Sequence, residues 1–199
     1  MAAVFFFAGA FFAAGYVALD TSRIYHIMPQ GVGGGEGDGM ADVDHALLSA
    51  VIMTNNISVA VTAVGFGLTG GVGTVYVLAY NGVILGGLYA FLAGTGQDMA
   101  EFFSLILPHG VLELTAIFLC GACGLMLGKG LLIPGAYTRR YALVYQAKRA
   151  ITLIPGIVVM LVVAGLIEGF FTPLALAPVV KLIFAGVTAV GFGAYVIKF

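Results

Sequence analysis

Apolar and polar positions fall in long blocks along this chain rather than at every second residue. Six blocks, at 3–19, 46–66, 72–93, 109–128, 151–171 and 176–197, are apolar on nearly every side of a helix drawn through them. A helix needs about 20 mostly apolar residues to cross a hydrocarbon core ~30 Å thick, and a helix that is hydrophobic all round belongs in a protein interior or in lipid. Barrel strands would alternate apolar and polar residues, and these blocks do not. The pattern predicts an all-α fold: residues 1–199 as a single transmembrane domain, a polytopic integral membrane bundle of about six helices. No basic residue precedes the first block, so it reads as a mature span rather than a cleaved signal.

The connections differ from one another. Residues 20–44 hold five acids against Arg23, with the glycine-rich run 31–39 around Glu36 and Asp38. This composition suits a solvated, flexible loop. His26 and His45 flank it, and weak metal binding there is a minor alternative. Residues 129–150 are basic, with Lys129, Arg139, Arg140, Lys148 and Arg149. Their second half could lie along the interface through Tyr141, Val144 and Tyr145. Counting basic residues in short loops puts six on the side of the amino terminus and only Arg23 and Lys181 opposite. The expected orientation therefore has both termini in the cytoplasm of a plasma-membrane protein, the basic loop inside and the acidic loop outside. Residues 97–107 are too short to cross. Proline lacks a backbone donor and disfavours helix at the residue before it, so a short re-entrant or interfacial helix is expected to break off before Pro108.

Composition sharpens the class. The chain is 61% hydrophobic and 9% charged, where soluble domains carry about 25% charged residues. A net charge of −1 argues against a nucleic-acid partner. Two cysteines exclude a disulfide framework, and 30 glycines without a period exclude collagen.

Against this background, polar residues inside the blocks call for an account. Lys181 lies near the end of a block and can reach the interface with its long stem. Glu113 and Glu168 cannot, and intramembrane acids characteristically face a bundle interior and pair. His109 stands four residues before Glu113, on the same helix face. With Asn55, Asn56 and Asn81 these residues make a candidate polar site of six: Asn55, Asn56, Asn81, His109, Glu113 and Glu168. Interior asparagines also join helices by hydrogen bonds without any chemistry, and that is the stronger alternative. If a metal is bound, His109, Glu113 and Glu168 are the candidate ligands. Gly82 with Gly86, and Gly124 with Gly128, have the spacing that lets helix backbones approach. Gly65, Gly67, Gly70, Gly71 and Gly73 surround a tight turn and also read as packing. Cys120 and Cys123 have a redox or zinc spacing, but inside an apolar block without a second pair they read as small packing residues.

Four motifs in order carry a resemblance: Asn55-Asn56 before a glycine-rich turn; Asn81-Gly82; Pro108-His109-Gly110 with Glu113; and Ile167-Glu168-Gly169-Phe170 with Thr172-Pro173. Over residues 46–173 the chain resembles the stage II sporulation protein M family, whose signature contains PHG-x-x-E. The resemblance implies a multi-span plasma-membrane protein. In spore-forming bacteria the family member is a scaffold for peptidoglycan-degrading enzymes during engulfment; many relatives occur in organisms that do not sporulate, with undefined roles. It brings no established catalytic residues.

Three functions compete. The first is a membrane scaffold or assembly factor whose buried polar cluster fixes the bundle. The second is a small-ion or solute transporter or channel using the His/Glu/Asn cluster. The third, a metal-dependent intramembrane hydrolase, lacks the two-histidine helix signature. A non-enzyme without cofactor is expected, with the lipid bilayer, other membrane or cell-envelope proteins and a second copy of the chain as candidate partners.

Overall fold

In a computed structural model that describes residues 1–27, 45–96 and 98–198, the apolar blocks form helices, four of them close to the expected boundaries and two, the fourth and fifth, starting ten and twelve residues earlier. They are α1 (Ala2–Ala18), α2 (His45–Gly65), α3 (Val72–Gly94), α4 (Met99–Leu132), α5 (Arg139–Leu166) and α6 (Pro178–Lys198). A π-turn, Ile167–Phe171, extends α5, and 3₁₀ turns follow α1 and α2. The described residues contain no strand. By length and composition, α3, α4 and α5 with its π-turn are long and apolar enough to cross a membrane. Ala2–Ala18 and Pro178–Ala194 are shorter apolar helices. The acidic stretch from residue 28 to 44 lies outside the described residues. Ahead of that stretch, Asp20 caps the first 3₁₀ turn, accepting from the hydroxyl and amide of Ser22. Those two bonds hold its carboxyl below the usual range.

The close contacts between helices give their directions. A Cβ on Gly82 would collide with the Phe6 carbonyl, and one on Gly86 with that of Ala10. Further along, Ala90 packs with Val17 and Ile24. Residue numbers rise together, so α1 and α3 run parallel. Against α4 the order reverses: Gly121 meets Leu78, Gly124 meets Thr74, and Gly128 meets Gly70 and Gly71. α5 reverses again, with Ala142 beside Gly130 and the Cys123 thiol 3.8 Å from the Ala150 carbonyl. α2 runs with α4, since Asn56 bonds Glu113 and the Ala63 carbonyl abuts Gly124. Thus α1, α3 and α5 point one way and α2 and α4 the other, as in a chain threaded back and forth.

α4 is the hub and touches all five other helices. Ala60, Ala63, Ala116, Cys120, Cys123 and Ala150 are small and buried where α2, α4 and α5 meet, which lets these helices approach closely. Both cysteines are free and serve as small packing residues. The reversal from α2 to α3 is made by Gly70 (φ 74°) and Gly71 (φ 87°), a left-handed pair that side chains with a Cβ rarely adopt.

Two expectations about connections are corrected. No break precedes Pro108: α4 is continuous from Met99 to Leu132 through the proline. Proline forfeits a single bond, to the carbonyl of Ser104, and neighbouring helices can accommodate that loss. Here Pro108 is among the most deeply buried residues, so packing on its ring outweighs the local preference. Asp98, which accepts from the Ala100 amide at 2.8 Å, marks the helix start instead. Likewise 129–150 is not one loop. α4 continues to Leu132 and α5 starts at Arg139, capped by Thr138, leaving 133–138 as the connection. The residues expected to form an interfacial helix are helical and make up the first part of α5.

Candidate functional site

The site is built on the middle of α4. His109 and Glu113, one turn apart, are both buried at 7% exposure, which puts their shared face toward the bundle. Asn56 of α2 donates its Nδ2 hydrogen to Oε2 of Glu113 at 2.8 Å. This bond joins residues 57 apart in sequence. Glu168, 3% exposed, sits in the π-turn at the end of α5, within electrostatic reach of Glu113. The turn is closed by the Thr172 amide donating to the Ile167 carbonyl, five residues back, at 2.9 Å. Single π-turns inside helices often mark functional positions.

Beside the carboxylates runs a second row. The Thr172 hydroxyl lies 3.4 Å from Nδ1 of His109. The Thr172 carbonyl accepts from the Lys181 ammonium at 2.7 Å. Lys181 is only 6% exposed, and so the expectation that it reaches out to the interface is corrected. It lies in the first turn of α6, where the helix dipole disfavours a cation, and the Thr172 carbonyl supplies the compensating acceptor. Phe171 stacks on Phe184 at 4.2 Å and fixes the turn against α6.

The six candidates therefore divide. Asn56 and Glu113 are bonded, Glu168 lies within electrostatic reach of Glu113, and His109 lies beside Thr172. Asn81 donates to the Val77 carbonyl of its own helix at 2.8 Å and joins no other helix through that amide. Asn55 is exposed. The reason is rotational: on a helix apolar all round, neighbouring asparagines necessarily point to different sides. Among the described residues no three His, Cys, Asp or Glu side chains form a metal-binding group. His109, Glu113 and Glu168 are not gathered into such a group in this structure. Thr172 and Lys181 are additions to the site. The signal for Lys181 was present, a lone lysine inside an apolar block; Thr172 contributes mostly through its backbone, which no residue type announces.

The bonds link α2, α4, the π-turn and α6 into one group. Two surface grooves lie elsewhere, one along α4 and α5 and one along α1 and α3. Neither is lined by Asn56, His109, Glu113 or Glu168.

Apolar helices of membrane-crossing length, closed on a buried group of carboxylates, amide and imidazole, define a helical membrane protein. The chain belongs to the stage II sporulation protein M family, whose model matches residues 2–173. The match takes in α1 as well as the motif-bearing region, and it ends just beyond Thr172. An uncharacterised protein of Methanocaldococcus jannaschii is 29% identical over 133 residues, covering 65% of this chain and 58% of that protein. A second uncharacterised protein of that organism is 26% identical over 123 residues, covering 61% of this chain and 69% of its own length. The matched part thus spans less than two thirds of the first relative. No solved structure matches.

Proposed function

We propose that the protein is a scaffold or assembly factor of the plasma membrane, crossing it six times with both termini in the cytoplasm. The buried polar group serves to lock the bundle, and the loops hold membrane or cell-envelope partners. One observation carries this reading: the Asn56–Glu113 bond at 2.8 Å joins two helices directly. The glycine-lined contacts support it, because they build a tightly packed body rather than a route for a solute. The six-to-two division of basic residues supports the orientation.

A transporter is the second reading, favoured by the row His109–Thr172–Lys181, which sets two titratable groups, His109 and Lys181, on either side of Thr172. Glu113→Gln separates the two, since it keeps size and hydrogen bonding but removes the ionisable carboxyl. For a scaffold, Glu113→Gln folds and complements a strain lacking the gene, whereas Glu113→Leu loses about 1–3 kcal/mol by leaving Asn56 unpaired. A Gln variant that folds but fails to complement would favour the transporter.

A further inference from the structure

The ends of α4 and α5 that meet across 133–138 carry a feature that helix locking does not use. A groove of about 430 Å³ runs between them, lined by Met126, Tyr145, Lys148, Arg149, Thr152 and Leu153. We propose that this groove binds the headgroup of one anionic phospholipid. The inference rests on the reading that α4 and α5 cross the membrane, and not on the scaffold role.

Charge is the first argument. No Asp or Glu occurs between Glu113 and Glu168, while Lys129, Arg139, Arg140, Lys148 and Arg149 all fall in that interval. All five are exposed. None of them forms an ion pair with a described residue. Among the described residues, therefore, no acidic side chain neutralises the cationic end of this helix pair.

Depth is the second. α5 with its π-turn has 33 residues, about 50 Å at 1.5 Å per residue, against a hydrocarbon core of ~30 Å. Its first turns must project beyond the core. Lys148 and Arg149 stand just before the apolar block that opens at Ile151, and Met126 lies just before the end of the apolar part of α4. The groove is thus at headgroup level. Tyr137, Tyr141 and Tyr145 are all more than half exposed, and tyrosine concentrates at this level of a bilayer.

Shape and chemistry are the third. Arg149 carries its guanidinium 6.0 Å from the centre of the Tyr145 ring, an arrangement that orients the planar fork suited to a phosphate diester. Lys148 adds a point charge. Met126 and Leu153 supply apolar wall for the first carbons of the acyl chains, which a free phosphate would not need. Basic pockets between membrane helices recognise phospholipid headgroups through this combination.

The test uses the full chain in phosphatidylcholine discs containing a minor share of phosphatidylglycerol, with retained lipids counted by native mass spectrometry. The wild type should retain one phosphatidylglycerol in preference to phosphatidylcholine. Lys148→Gln with Arg149→Gln should weaken that retention about 30-fold, at roughly fivefold per charge removed. Arg139→Gln with Arg140→Gln, outside the groove, should change it less than about threefold. Arg149→Lys keeps the charge but loses the fork, and a few-fold loss is expected. Equal losses for the two double variants would mean diffuse attraction and overturn the site. So would displacement of the lipid by inorganic phosphate, or a wild type without preference, which would leave the basic pair to a protein partner. Glu113→Gln should retain the lipid whether or not it complements, so that this proposal and the scaffold reading can fail separately.

Discussion

The α1–α3 seam and the group around Glu113 hold helices together by opposite means. Along the seam Gly82 and Gly86 bring α3 against the backbone of α1 at Phe6 and Ala10, while Gly9 lies on Ala79. No side-chain hydrogen bond joins α1 to α3 among the described residues. Around Glu113 the reverse holds, with amide, carboxylate, hydroxyl and ammonium making the links. Lipid offers helices little hydrophobic reason to associate, which leaves close packing and hydrogen bonds. The seam uses the first and is intolerant of added volume. The polar group uses the second and is intolerant of lost partners.

The largest effect should come from adding bulk to the seam. Gly86→Val would drive a side chain into the Ala10 carbonyl, and backbone cannot yield as a flexible side chain does. A loss of about 3 kcal/mol or more is expected, read as failure to purify as a single species in detergent. Thr74→Val keeps the shape but removes the bond from its hydroxyl to the Ala63 carbonyl, 2.8 Å long and buried. Membrane hydrogen bonds of this kind are worth about 0.6–1.7 kcal/mol, a loss that denaturation in mixed micelles would resolve. Smallest is Asn81→Ala, expected to cost under about 0.5 kcal/mol in the same assay, because its amide serves only its own helix at Val77. A large loss at Asn81 would show that the polar group extends into α3.

How much of this was legible follows from which physics wrote the pattern. Helix positions were readable because bilayer thickness dictates the length of an apolar block, and α2 and α3 start within a residue of where hydropathy places them. Gly82 and Gly86 were readable because close approach needs small residues at fixed spacing. The interior positions of Glu113 and Glu168 followed from the cost of charge in lipid. Rotation about a helix axis was not readable. A uniformly apolar α3 has no polar stripe to show which way Asn81 turns, and the same holds for Asn55 against Asn56 in α2. Pro108 misled because a local preference was weighed without the packing that buries its ring. Lys181 misled because a terminal position was taken for an interfacial one, when the carbonyl that Thr172 offers at the end of the π-turn holds the lysine inside.

The central claim is that Asn56 and Glu113 bind α2 to α4, and a double-mutant cycle tests it most directly. Unfolding in the bilayer would be measured for the wild type, Asn56→Leu, Glu113→Leu and the double variant. The account predicts a coupling of about 0.6–1.7 kcal/mol between the two positions, the range found for hydrogen bonds between membrane helices. Strictly additive losses, with no coupling, would contradict it.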